Sequence, residues 1–130
     1  MSKTLRLGLA SLMAAAVLGV SAPAFASGGG GGVTNSGPCS ASSIWKVKAS
    51  PENGRVEAQF EVDSGIAGQT WQVKLLDNGV TFFRGTAMTG GASGSFEVRK
   101  LTADQAGSDT IKGMARNQGT VETCVGSVTL

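Results

Sequence analysis

Acid–base chemistry on this chain would have to come from carboxylates, because the sequence contains no histidine. Ser-His-Asp and Cys-His arrangements therefore cannot be assembled. Glu57 and Glu61 come nearest to a hydrolytic pair, since they share one face of an alternating stretch. Their Cα atoms would lie about 13 Å apart along a strand, whereas glycosidase carboxyl groups sit about 5 to 9.5 Å apart. A solvated strand face between Arg55 and Asp63 accounts for them better. Asp63, Asp77, Asp104 and Asp109 fall near expected strand ends, where all-β domains sometimes hold calcium. Calcium takes roughly six to eight oxygens, and no loop here matches that demand, so turn and cap roles are expected, with no metal and no cofactor. Gly90-Gly91-Ala92-Ser93-Gly94 lacks a following Lys and helix and is not a phosphate loop. The chemistry reads as non-catalytic.

Cys39 and Cys124 are the remaining reactive pair, and their reading depends on compartment. Lys3 and Arg6 begin a short basic segment, Leu7 to Val20 is mostly apolar, and Ala24-Phe25-Ala26 places small residues where a signal peptidase reads. The apolar run is shorter than the roughly 20 residues a membrane span needs. We therefore assign residues 1–26 to a secretory signal peptide and expect a secreted protein, extracellular or associated with the cell wall. In that setting Cys39 and Cys124 are expected to form one disulfide. It would close a loop of roughly 86 residues, which the chain-entropy model values at about 4–5 kcal/mol.

What remains after cleavage is roughly 100 residues, enough for one domain with a modest core and too few for two. The whole chain is formally +2, with 11 basic and 9 acidic side chains. Lys3 and Arg6 account for that entire excess, so Ser27–Leu130 is neutral. A neutral, interspersed surface argues against nucleic acid and anionic lipid as main partners. Ser27–Pro38 opens on five consecutive glycines and stays mostly polar, so residues 27–38 are expected to be a flexible leader. The folded domain is expected over residues 39–130.

The elements follow from period-two alternation. Gln69–Asp77 sets Trp71, Val73 and Leu75 on one face against Gln72 and Lys74, then meets Asn78-Gly79, a hairpin signal. Arg55–Asp63 alternates Val56, Ala58, Phe60 and Val62 with polar residues. Ile44–Ala49, Val80–Arg84, Ser95–Leu101, Asp109–Asn117 and Thr120–Leu130 complete seven expected strands, with Met88–Gly94 as a Gly-rich loop. Trp71, Trp45 and Phe60 are the expected core anchors. Seven short strands at this spacing favour an all-β sandwich or barrel.

Trp71 on the third expected strand, together with Asp109-Thr110-Ile111-Lys112-Gly113-Met114-Ala115-Arg116-Asn117-Gln118-Gly119, resembles the core tryptophan and sixth strand of immunoglobulin-like and fibronectin-III-like domains of secreted bacterial proteins. The resemblance implies a seven-stranded antiparallel immunoglobulin-like sandwich. The chain departs from that pattern in having no Tyr for a tyrosine corner. It also has Gly113 where the second cysteine of that family usually falls.

In that arrangement Leu76, Phe83 and Met114 could share one sheet. Leu76 lies outside the inward alternation, Phe83 adjoins Phe82, and Met114 falls opposite Ile111, Gly113 and Ala115. We expect these three to form an exposed apolar patch, a feature that often marks a partner surface. The function expected is a secreted binding or adhesion module recognising a protein or a cell-envelope component. The alternative is an enzyme inhibitor or effector acting through loops such as Met88–Gly94. Self-association is left open.

Overall fold

Alternating sequences become paired strands when each apolar face can be covered, and here two sheets cover one another. The computed structural model describes residues 31–130, and the expected signal peptide and the leader residues Ser27–Gly30 lie outside the described residues. Eight strands follow in order: β1 (Val33–Pro38), β2 (Ile44–Glu52), β3 (Arg55–Asp63), β4 (Thr70–Asp77), β5 (Val80–Met88), β6 (Ser95–Ala103), β7 (Thr110–Asn117) and β8 (Thr123–Thr129). They form two antiparallel four-stranded sheets, ordered β1-β2-β3-β6 and β5-β4-β7-β8. The arrangement is consistent with a β-sandwich, and no helix occurs among the described residues.

The shared core is built from the expected anchors. Trp71 and Phe60 are fully buried and Trp45 nearly so. Phe96 from β6 meets Phe60 edge-on at 6.4 Å and Trp71 at 6.1 Å, which ties the two sheets together through aromatic contact. Burying such a side chain contributes about 1.5–3 kcal/mol. Gly113 on β7 packs beneath Phe60, and a Cβ there would collide with the Phe60 ring. That contact explains why a side chain as large as cysteine has no room at this position.

Two hairpins close as their sequences require. Asn53-Gly54 joins β2 to β3 and Asn78-Gly79 joins β4 to β5, each with both residues at positive φ. Pro51 and Glu52 belong to β2, which runs past the expected end at Ala49.

The strand count corrects the expectation of seven, and the expected leader is shortened. Val33–Pro38 pairs with β2 over its whole length, from Val33 opposite Ala49 to Pro38 opposite Ile44. Only Val33 packs against the core, so the segment carries no alternation to read. It is held through its backbone and through Trp45, whose indole Nε1 donates to the Pro38 carbonyl at 3.1 Å. A Cβ on Gly37 would approach the Trp45 ring to 2.8 Å, so this strand needs a glycine where the indole crosses it.

The two open sides of the sheet pair are closed differently. On one, Cys39 and Cys124 form a disulfide with Cα atoms 4.4 Å apart, linking the segment after β1 to β8. Glu122 reinforces it, since its carboxylate accepts from the Ala41 and Ser43 backbone N–H groups and from Ser43 Oγ, at 2.9–3.1 Å. On the other side, Phe83 of β5 lies under Lys100 of β6, with the ammonium 4.8 Å from the ring centroid.

Candidate functional site

The register decides what became of the expected apolar patch. Leu75 lies directly opposite Phe83, so both side chains project from the same face of the sheet, and Leu75 is fully buried. The β4–β5 register shifts between Leu75 and Leu76, leaving Phe82 as the extra residue of a bulge. The bulge turns Phe83 inward, where it packs half-buried against the core. Phe83 therefore does not share a surface with Leu76 and Met114. This corrects the composition of the patch; its cause is one inserted residue, which alternation read without a partner strand cannot register.

Leu76 and Met114 do lie on the outer face of the β5-β4-β7-β8 sheet, both half-buried. Met114 sits opposite Lys74 on one side and Val125 on the other, and Lys74 sits opposite Arg84. One row across the sheet therefore reads Arg84, Lys74, Met114, Val125. The adjacent row reads Thr86, Gln72, Arg116, Thr123. Together these rows line an open groove of about 580 Å³. Val125 remains 49% exposed within it, an apolar residue the sequence reading did not single out. The only signal that could have found it was its place next to the buried Cys124.

Charge on this face is of one sign. Lys74, Arg84, Lys112 and Arg116 project outward from β4, β5 and β7, and no outward position of β4, β5, β7 or β8 is acidic. Asp77, at the end of β4, is buried. None of the four cations has a salt-bridge partner among the described residues. The ion pairs that do occur there, Lys46–Glu61, Arg99–Glu57 and Arg99–Glu97, all lie on the other sheet. Overall neutrality is thus an average over two dissimilar faces.

The carboxylates are dispersed. Glu57 and Glu61 each engage a separate cation on the outer face of the first sheet. Asp63 accepts from the Gly65 backbone N–H at 3.1 Å in a turn. Asp77 and Asp109, 3% and 2% exposed, do come together at one end of the molecule. The Asp77 carboxyl is raised from its usual 3.8 to about 6. Burial is the largest cause, followed by the neighbouring Asp109 side chain and the charge of Asp104. Asp104 is raised as well, chiefly by hydrogen bonding to Asp109. Asp109 also accepts from the Gln105 N–H at 3.1 Å. Both Asp77 oxygens lack a hydrogen-bond partner among the described residues, which fits a carboxyl held in its protonated form more readily than usual. Among the described residues no group of three or more His, Cys, Asp or Glu is placed to hold a metal ion.

The segment after β5 is a tight structure. Thr89 is buried, its hydroxyl donates to the Ile66 carbonyl and accepts from the Gln69 N–H, and Gly90 and Ser95 form a backbone bridge. Gly94 packs directly against the Gly65–Ile66 backbone. Only Gly91 to Ser93 project as exposed residues.

Comparison with protein-family models, with curated proteins and with solved structures finds no match.

Proposed function

We propose that this chain is a secreted, non-catalytic β-sandwich module of the immunoglobulin-like kind, which binds a protein or envelope component on the outer face of the β5-β4-β7-β8 sheet. Several features support the reading. The disulfide is compatible with an oxidising, extracellular setting. The Trp71 strand has β5 and β7 as its neighbours, an order compatible with the resemblance. No helix among the described residues is long and apolar enough to cross a membrane.

The observation that carries the proposal is the groove, in which Met114 and Val125 form an apolar strip beside Gln72, Lys74, Arg84 and Arg116. Catalysis is not part of the reading, because histidine is absent and the close pair Asp77–Asp109 is buried. The loop-directed alternative is weaker, because the segment from Thr89 to Gly94 offers only a short, internally bonded turn.

The test is retention of the domain by envelope fractions and immobilised culture proteins of the native host. Met114→Asp combined with Val125→Asp is expected to abolish retention, and shortening Gly91–Ser93 is expected to leave it intact. The reverse pattern would move the binding surface to the loops.

A further inference from the structure

Building on that sheet-face reading, we infer that the partner presents an acidic peptide segment with interspersed apolar side chains, and that Lys74, Arg84, Lys112 and Arg116 are the residues that select it. Lys112, Met114 and Arg116 alternate along β7, so a cation flanks Met114 on either side. Lys74 faces Met114 across the β4–β7 pair, and Arg84 faces Lys74 across the β4–β5 pair. Neighbouring positions on such a face lie about 5 to 8 Å apart, close to the reach of successive acidic side chains on an extended peptide.

Two like charges directly opposite in a sheet destabilise it. Lys74 and Arg84 stand in that relation with no acid on the face to relieve it. The fold gains nothing from this arrangement, whereas an anionic partner gains from it directly. Arg84 and Arg116 add a planar donor fork suited to carboxylates.

The apolar strip and the absence of aromatic rings narrow the occupant. Both tryptophans, Phe60 and Phe96 are buried, and Phe82 and Phe83 pack against the core. Among the described residues no ring on this face can stack on a base or a sugar. Half-buried Met114 and exposed Val125 lie beside long cationic side chains in a groove, a shape that takes a side chain from an opposing chain more readily than it enters a lipid bilayer.

The experiment uses the full domain with its disulfide intact and short labelled peptides that alternate Glu with Val or Leu, read by fluorescence anisotropy. The acidic peptide is expected to bind and its Gln-for-Glu counterpart to bind at least roughly tenfold more weakly. Lys74→Glu combined with Arg84→Glu is expected to remove a similar factor. Lys46→Glu with Lys48→Glu, on the opposite face, is expected to change binding little. Raising salt from roughly 0.05 to 0.5 M should weaken the complex.

Equal binding of both peptides, or none of either, overturns the inference. So does binding to phosphatidylcholine–phosphatidylglycerol vesicles that depends on these cations while the peptide does not bind, which would assign the face to a membrane surface. In the host-fraction assay, loss of retention with Met114→Asp but not with the charge reversal keeps the sheet-face reading and removes the acidic partner. Loss with neither removes both.

Discussion

The outer faces of the two sheets are made from similar numbers of polar side chains and behave oppositely. On the β1-β2-β3-β6 sheet, cations and acids interleave: Arg99 bonds Glu97 at 3.0 Å and lies 3.8 Å from Glu57, and Lys46 lies 3.6 Å from Glu61. On the β5-β4-β7-β8 sheet, the outward charges are all positive and surround the strip of Met114 and Val125. The first face is internally compensated, so it presents little field to a partner. The second is uncompensated, and its charge remains available for a contact outside the molecule. Charge balance over a whole chain therefore says little about any one surface, because strands adjacent in sequence are dealt to different sheets.

The contrast exists only while the shared core holds both sheets, and the largest effect comes from removing what clamps them. Replacing Cys39 and Cys124 with serine is expected to cost about 2–5 kcal/mol in urea unfolding, because β8 then loses its covalent link to the segment after β1. Both faces would be lost in a single transition. Gly113→Ala should come next, costing about 1–3 kcal/mol, as its methyl group forces Phe60 out of position. A destabilisation under 0.5 kcal/mol would show that the Phe60 ring gives way freely.

Asp77→Asn is expected to act in a pH-dependent way. The Asp77 carboxyl is raised from 3.8 to about 6 in the folded protein, so the native state holds its proton more tightly than the unfolded chain does. That contribution is fully present below about pH 4 and is lost as pH rises through about 6. Asp77→Asn should therefore gain on the order of 1 kcal/mol at pH 8 relative to wild type and show little advantage at pH 4. Thermal unfolding at the two pH values reads the difference.

The smallest effects sharpen the comparison most directly. Arg99→Ala is expected to lose up to about 1 kcal/mol at low salt, because it breaks two exposed ion pairs. Arg84→Gln is expected to be neutral or to gain a few tenths of a kcal/mol, because it removes a like charge opposite Lys74. Opposite signs in dilute buffer, converging in high salt, would confirm that one face is compensated and the other strained.

Much of the strand pattern was legible because alternation encodes which side chains need burial. Phe60, Trp71, Val73, Leu75 and Ile111 were readable as inward residues and are buried. The strand Val33–Pro38 was not legible, because polar residues, Gly37 and Pro38 carry no period and are held by backbone pairing and by the Trp45 indole. At the candidate site, Met114 and Leu76 were readable as outward residues. Val125 and the four cations were not readable as a group, because they come from four strands whose neighbours alternation does not name.

By itself the sequence determined the all-β character, the position of the Asn78-Gly79 hairpin, the aromatic core and the pairing of its two cysteines. Each of these depends on local backbone preference, on burial of a period-two face, or on there being one partner available. Only the tertiary structure decided that Phe83 turns inward at a bulge, that an eighth strand completes the first sheet, and that positive charge collects on the second. Those outcomes depend on register and on which strands become neighbours, and both are set by contacts between residues far apart in the chain.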